Sequence, residues 1–292
     1  MISQRQLQIL SSIATLLIGA ALSSAQTTVT LGAVDDVTLY QETNGALANG
    51  AGRGIFVGRN GTGLIRRALL KFDIAPTIPS NAIIRSATLR LRQTRNNNGL
   101  HTVTLHRARA SWGEGTSNAG GEEGGGVLAA PNDATWIHRF SPSMLWTRPG
   151  GDFDLQPIAS TLVDSALINY DWVGPALAAD VQAWLASSSS NFGWLLKGDE
   201  SDSATAHRFD SHESGTATAR PQLIITYTTP PPPPVCTADF DGDGLLTSDD
   251  LSSYITAFFN VPPLSGADFN ASGGVDPDDL SDYIGAYFAG CP

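Results

Sequence analysis

Ile84-Arg-Ser-Ala-Thr-Leu-Arg-Leu-Arg92 is the stretch from which the fold of this chain can be read. Ala87, Leu89 and Leu91 fall on one side of an extended backbone, and Thr88, Arg90 and Arg92 on the other. Successive side chains of a strand point to opposite faces, so the pattern is a half-buried strand with a polar face. Short runs of similar character lie upstream at Val29–Leu31, Val37–Tyr40, Ile55–Gly58 and Ala68–Phe72. They continue at His101–His106, Trp136–Phe140, Phe153–Ile158, Phe192–Leu196, Ala206–Asp210 and Leu223–Tyr227. Asn44-Gly45, Asn60-Gly61 and Pro76-Thr-Ile-Pro79 supply turns between them. One brief helix is expected over Ala178–Leu185, with Val181, Trp184 and Leu185 on one side. So many short strands over about 200 residues predict a mainly β fold, a large jelly-roll-like β-sandwich spanning 26–229.

Between Trp112 and about Gly151 the strand signal lapses into turns, including Gly120-Gly-Glu-Glu-Gly-Gly-Gly126. A loop this long in a compact domain is expected to be functional or mobile. Its residues include the aromatic candidates for stacking on a sugar, Trp112, Trp136 and Trp146, with Trp172 further along. Trp184 and Trp194 read as core. Arg90 and Arg92, on the polar side of their strand, are candidates to pair with uronic-acid carboxylates. The competing readings are plain: packed indoles and a solvated sheet face. No catalytic residue can be assigned. The five histidines are scattered, and no Gly-x-Ser-x-Gly elbow, HExxH pair or phosphate loop occurs. Glu114, Glu122, Glu123, Asp152, Glu200 and Glu213 stay open as acids for glycoside chemistry, though nothing in the sequence links any two.

The last segment differs in kind. Asp239-Phe-Asp-Gly-Asp-Gly-Leu-Leu-Thr-Ser-Asp-Asp250 places Asp239, Asp241 and Asp243 at loop positions 1, 3 and 5. The Leu245 carbonyl stands at position 7, Thr247 at 9 and Asp250 at 12. This is the oxygen spacing of a calcium loop, with Gly244 at the sharp turn and Asp where an EF-hand carries Glu. Leu251, Tyr254, Ile255 and Phe258 then recur at helical spacing. The unit repeats from Asp268, with Asn270, Ser272, the Gly274 carbonyl, Asp276 and Asp279 as the corresponding ligands. Two calcium sites are expected, the second weaker because Asn270 and Ser272 replace carboxylates.

Charge follows the same division. The net charge is −11, and residues 230–292 hold 10 Asp with no Glu, Lys or Arg. Without cations that segment repels itself, and with no basic stripe anywhere the chain is not expected to bind nucleic acid. At the other end Arg5, an apolar run from Ile13 to Leu22 and Ser23-Ser-Ala25 predict a signal peptide over 1–25 and a secreted mature chain. That apolar run is too short for a comfortable membrane span, and no other such run exists. Five prolines, Pro230–Pro234, open a linker over 230–235 in the polyproline II conformation.

The duplicated Asp-rich loop and helix over 236–292, framed by Cys236 and by Gly290-Cys291-Pro292, resembles a type I dockerin of the GC-type variety. That resemblance implies a cohesin-like protein partner, with loop positions 10 and 11 helping to choose it. Here those positions differ between repeats, Ser248-Asp249 against Pro277-Asp278. A Cys236–Cys291 disulfide would close a loop of about 55 residues, worth ~4 kcal/mol in the chain-entropy model, with two free thiols as the alternative.

A second resemblance rests on Leu69-Leu-Lys-Phe-Asp73, Ser86–Leu91, Trp112-Gly-Glu-Gly, Thr135-Trp136, Gly193–Gly198 and Arg220–Tyr227. Together these are similar to a DNRLRE domain. That family implies an extracellular β-sandwich, related to disaggregatase repeats and to polysaccharide-binding modules attached to alginate-type lyases. The combined expectation is a secreted, non-catalytic polysaccharide-binding module joined to a calcium-dependent docking domain. A lyase or glycosidase with its site in the sandwich loops, or a structural adhesive protein, is the alternative.

Overall fold

The computed structural model describes residues 25–42, 44–96, 99–164, 168–231 and 236–291. The expected signal peptide, apart from Ala25, and most of the proline linker lie outside that set. The chain divides into two compact units between Pro230 and Pro231.

The first unit contains strands β1 (Gln26–Tyr40), β2 (Leu47–Ala48), β3 (Gly54–Arg59), β4 (Ile65–Phe72), β5 (Ile83–Asn96), β6 (His101–Arg107) and β7 (Val127–Leu128). After them come β8 (His138–Phe140), β9 (Met144–Leu145), β10 (Ala159–Val163), β11 (Asn169–Val173) and helix α1 (Pro175–Ala186). Strands β12 (Trp194–Lys197), β13 (His207–Asp210) and β14 (Gln222–Thr228) complete the unit.

All described pairings are antiparallel, and two layers share strand β1. Its first half, Gln26–Gly32, pairs with β14, which pairs with β5 and through it with β11. Its second half, Ala33–Tyr40, pairs with β4, followed by β12, β6 and β10. A register shift between Ala33 and Asp35 marks where β1 changes layers, which is what an irregularity of this kind allows a strand to do. Sequence reasoning split this strand in two because Gly32 interrupts its alternation. Strand β13 bridges the end of β5 to β3, joining the layers along the other side.

The core between the layers follows the alternation. Ala87, Leu89 and Leu91 of β5 face Ala68, Leu70 and Phe72 of β4, with Trp172, Trp194 and Phe209 filling the space. Helix α1 adds Leu177, Val181, Trp184 and Leu185. It begins at Pro175, where the missing N–H costs nothing, three residues before the apolar pattern starts. Strands β10 (Ala159-Ser-Thr-Leu-Val163) and β11 (Asn169-Tyr-Asp-Trp-Val173), five residues each, are not among the strands expected from the sequence. Conversely, Phe153 makes one isolated bridge to Ala108, where a strand was expected.

A second core lies on the outer side of the β4 layer. Val37, Leu39, Leu69 and Leu195 point away from the first core and meet Ala108, Trp112, Ala134, Trp136 and Trp146. The long turn-rich region is therefore a packed cover over one sheet. Its Gly-rich run brings in Glu123, whose carboxylate accepts from Arg53 N at 2.8 Å and from Arg208 Nη2 at 2.8 Å. The Glu123 carbonyl accepts from the Tyr40 hydroxyl at 2.9 Å.

In the second unit, helices α2 (Ser248–Phe259) and α3 (Pro277–Ala289) each leave one of the repeated loops. Tyr254 and Tyr283 stack at 3.8 Å between ring centroids, 9° from parallel. Each hydroxyl crosses to the opposite repeat: Tyr254 donates to the Ala267 carbonyl at 3.0 Å and Tyr283 to that of Ala238 at 2.9 Å. Phe240 and Phe269 close the cluster edge-on. Cys236 and Cys291 form the disulfide, 55 residues apart.

Candidate functional site

The sugar-stacking candidates are not offered to solvent. Trp112, Trp136 and Trp146 are only 8, 8 and 5% exposed, and Trp172 is fully buried. Three of the four indole N–H groups are used inside the protein. Trp112 donates to the Phe192 carbonyl at 2.8 Å, Trp146 to that of Thr135 at 2.9 Å and Trp172 to that of Val103 at 2.8 Å. The expectation for these three loop tryptophans is thus corrected. A sheet with apolar residues on its outer face needed covering, and the large indoles supply that cover. Arg90 is half-exposed but committed, since Asp171 of β11 binds it in a bidentate pair with both bonds at 2.7 Å. Arg92, opposite Asn169, stays exposed.

Sequence reasoning missed a groove of about 960 Å³ where the cover region meets the sandwich. It is lined by Arg67, Arg109, Arg139 and Arg148, by Asp152 and Asp154, and by Ser111, Leu145, Leu155 and Phe192 among others. Arg67 forms the fixed end. It pairs with Glu200 at 2.8 and 3.0 Å, donates to the Gly150 carbonyl at 2.8 Å and lies over the Trp136 ring at 5.0 Å. The others are nearer solvent. Arg109 pairs with Asp154 at 2.6 Å, and Arg139 donates to Ser111 Oγ at 2.9 Å. Arg148 makes no ion pair among the described residues, while its backbone N–H binds Asp152 Oδ1 at 3.2 Å. The lining holds four guanidiniums against two carboxylates, a local positive excess in a chain of net charge −11. Leu145 and Leu155, 64% and 72% exposed, give it apolar patches. These arginines are spread over 67–148, so no local motif announces them.

Two of the acids weighed for catalysis do meet. Asp36 of β1, Glu114 of the cover region and His212-Glu213 after β13 converge at the sandwich rim. His212 Nδ1 lies 3.4 Å from Asp36 Oδ2 and 3.3 Å from Glu114 Oε1, while Nε2 lies 2.9 Å from Glu213 Oε1. Burial pushes Asp36 up to about 6 and Glu114 to about 8. The neighbouring carboxylates, Asp36 first and then Glu213, raise His212 to about 10. The other acids are elsewhere: Glu123 is an internal anchor, Glu200 holds Arg67, and Glu122 pairs with Arg95.

In the C-terminal unit the first loop gathers Asp239, Asp241 and Asp243 with oxygens within 4.8 Å of one another. Backbone N–H groups aim the carboxylates. Gly242 and Gly244 donate to Asp239, each at 2.9 Å, and Leu245 to Asp243 at 2.8 Å. Asp250 is buried and accepts from Phe240 N at 2.9 Å and Thr247 N at 2.7 Å, bonds that hold its carboxyl below the usual range. It serves at once as loop position 12 and as the capping-box partner of Thr247 at the start of α2. The donor set, carboxylates and carbonyls with no Lys or Arg in the unit, suits a hard cation. The second loop is more self-satisfied. Asn270 Nδ2 donates to Asp282 at 3.2 Å, and Ser272 Oγ to the Gly274 carbonyl at 3.2 Å. Asp276 caps α3 with Asp279 as its box partner. Among the described residues, no helix is long and apolar enough to cross a membrane.

No curated protein matches the chain. Residues 27–118, from the first strand into the cover region, match the sequence profile of carbohydrate-binding module family 96, which supports reading the β-sandwich as a carbohydrate-binding module.

Proposed function

We propose that this chain is a secreted, non-catalytic module that binds an acidic polysaccharide in its arginine-lined groove and docks to a protein partner through its C-terminal unit. The observation that carries the reading is the groove's surplus of guanidiniums within a sandwich whose first part matches a carbohydrate-binding family. Planar guanidiniums pair with carboxylates through two parallel hydrogen bonds, so a uronic-acid chain is the ligand chemistry that fits. Leu145, Leu155 and Phe192 offer apolar contact to sugar-ring faces. Affinity electrophoresis of the full chain in polygalacturonate and in a neutral glucan tests this. Retardation is expected in the acidic gel alone, weakened by salt and by Arg148→Ala or Arg109→Ala. Equal mobility of wild type and both variants would remove the groove from consideration.

Calcium in the two C-terminal loops belongs to the same reading, with the first site the tighter. Asp239, Asp241, Asp243, the Leu245 carbonyl and Asp250 would hold the ion there, with Thr247 at position 9. The corresponding set is Asp268, Asn270, Ser272, the Gly274 carbonyl, Asp276 and Asp279. Exposed Ile255, Phe259, Ile284 and Phe288 on the helices give a cohesin-like partner apolar surface to cover. Release of reducing ends or unsaturated sugars from any acidic polysaccharide would favour the enzymatic alternative.

A further inference from the structure

The cluster at the rim of the sandwich is not explained by polysaccharide binding. It places three carboxylates around one imidazole, and no Lys or Arg pairs with any of the three among the described residues. Asp36 is 1% exposed, yet its Oδ1 has no hydrogen-bond partner. His212 Nδ1, a buried atom aimed between Asp36 and Glu114, has none either, and the same is true of Glu213 Oε2. Buried charged oxygens without partners are costly, and such sites are resolved by a cation.

The remaining contacts hold these groups in place. The Asp36 backbone N–H binds Glu114 Oε1 at 2.6 Å, and that of His212 binds Asp36 Oδ2 at 2.7 Å. Glu213 N–H binds Ser211 Oγ at 3.1 Å, and that hydroxyl donates to the Gly52 carbonyl at 2.7 Å. Three chain segments that are remote in sequence are thereby locked around one small space.

Its dimensions are those of a metal site. Nδ1 stands 3.4 and 3.3 Å from the nearest oxygens of Asp36 and Glu114. That is too long for a hydrogen bond of good strength. Ligands ~2.0–2.1 Å from a tetrahedral centre lie about 3.3–3.4 Å from each other. Glu213 sits on the opposite ring nitrogen at 2.9 Å, the place of the carboxylate that fixes a metal-binding imidazole. An imidazole nitrogen among carboxylates suits zinc better than calcium, which takes oxygen ligands.

We propose that Asp36, Glu114 and His212 bind a divalent transition-metal ion of the zinc class, with Glu213 orienting the His212 ring. The site is distinct from the C-terminal Asp loops and does not depend on what the groove binds. Its role is structural: the ion ties β1, the cover region and the turn after β13 to one another.

The test uses the full chain after chelation, titrated separately with Zn2+, Co2+ and Ca2+. Calorimetry is expected to show one Zn2+ that resists competition by excess Ca2+, and Co2+ to give visible d–d bands from nitrogen and oxygen ligands. The isosteric Glu114→Gln and His212→Gln should each weaken Zn2+ by about 100-fold or more and abolish the bands, and Glu213→Gln should weaken it by about 10–100-fold. Asp239→Ala, in the C-terminal loop, should leave the bands unchanged. Zn2+ should also raise the unfolding temperature of the sandwich in wild type and in Asp239→Ala, but not in Glu114→Gln or His212→Gln. The proposal is overturned if chelated wild type takes up no Zn2+, if Glu114→Gln and His212→Gln bind it as wild type does, or if Ca2+ displaces it. Should a variant fail to fold, the wild-type Co2+ spectrum decides alone, absence of bands counting against the site.

Discussion

At the residue scale, the tryptophans and histidines show how neighbours decide a side chain's task. Trp146 is buried and hydrogen-bonded to the Thr135 carbonyl. Trp146→Ala is therefore expected to cost about 3–5 kcal/mol of stability, read from urea unfolding. A variant that unfolds like wild type but loses polysaccharide binding would restore the stacking role. His207 is buried, with Nδ1 2.9 Å from Gln93 Nε2 and Nε2 3.0 Å from His101 Nδ1. Burial lowers its pKa from 6.5 to about 4. As pH falls through 6.5 the unfolded chain takes up a proton that the folded chain refuses, so stability is lost down to about pH 4. His207→Gln should flatten the decline of stability between pH 6.5 and 4, and an unchanged slope would show that His207 does not drive it.

At the element scale, what separates this sandwich from a simple one is a strand shared by two layers and a sheet covered on both faces. Strand β12 enters the covered sheet through Gly193, whose φ of +75° is left-handed. A Cβ there would lie 2.0 Å from the Leu70 carbonyl oxygen of the neighbouring strand. Gly193→Ala should destabilise the sandwich by more than about 1 kcal/mol. Thermal unfolding at the wild-type temperature would show that the strand tolerates displacement. In the other unit the helices start where their loops end, because one residue at position 12 closes both.

At the scale of the whole molecule, charge and cross-links are unevenly divided. The C-terminal unit carries all of its ten charges as Asp and is closed by the Cys236–Cys291 disulfide around a small tyrosine-stacked core. Calcium titration of the chelated chain should give a reversible gain of helical circular dichroism that Asp239→Ala abolishes and Asp268→Ala reduces less. Reduction should lower the melting of this transition and leave that of the sandwich in place, since the sandwich contains no cysteine. Helicity indifferent to EDTA would overturn the calcium reading, and a reduction-insensitive transition would remove the disulfide from its stability.

Periodic and local features are legible from the chain of residues alone. Alternation in Ile84–Arg92 and its neighbours gave a mainly β sandwich, because facing apolar rows must be buried whatever covers them. Two loops in register, each followed by a helical apolar stripe, gave the helical C-terminal unit. Features assembled from distant segments emerge with folding. Nothing near Trp112, Trp136 or Trp146 says that Val37, Leu39, Leu69 and Leu195 form an apolar outer face in need of cover. Nothing near Arg90 says that Asp171 will stand opposite it. The groove draws on side chains from Arg67 to Phe192, and the rim cluster joins residues 36, 114 and 212–213. Such sites have no spacing to read, because strand pairing, not chain order, sets the distances between their atoms.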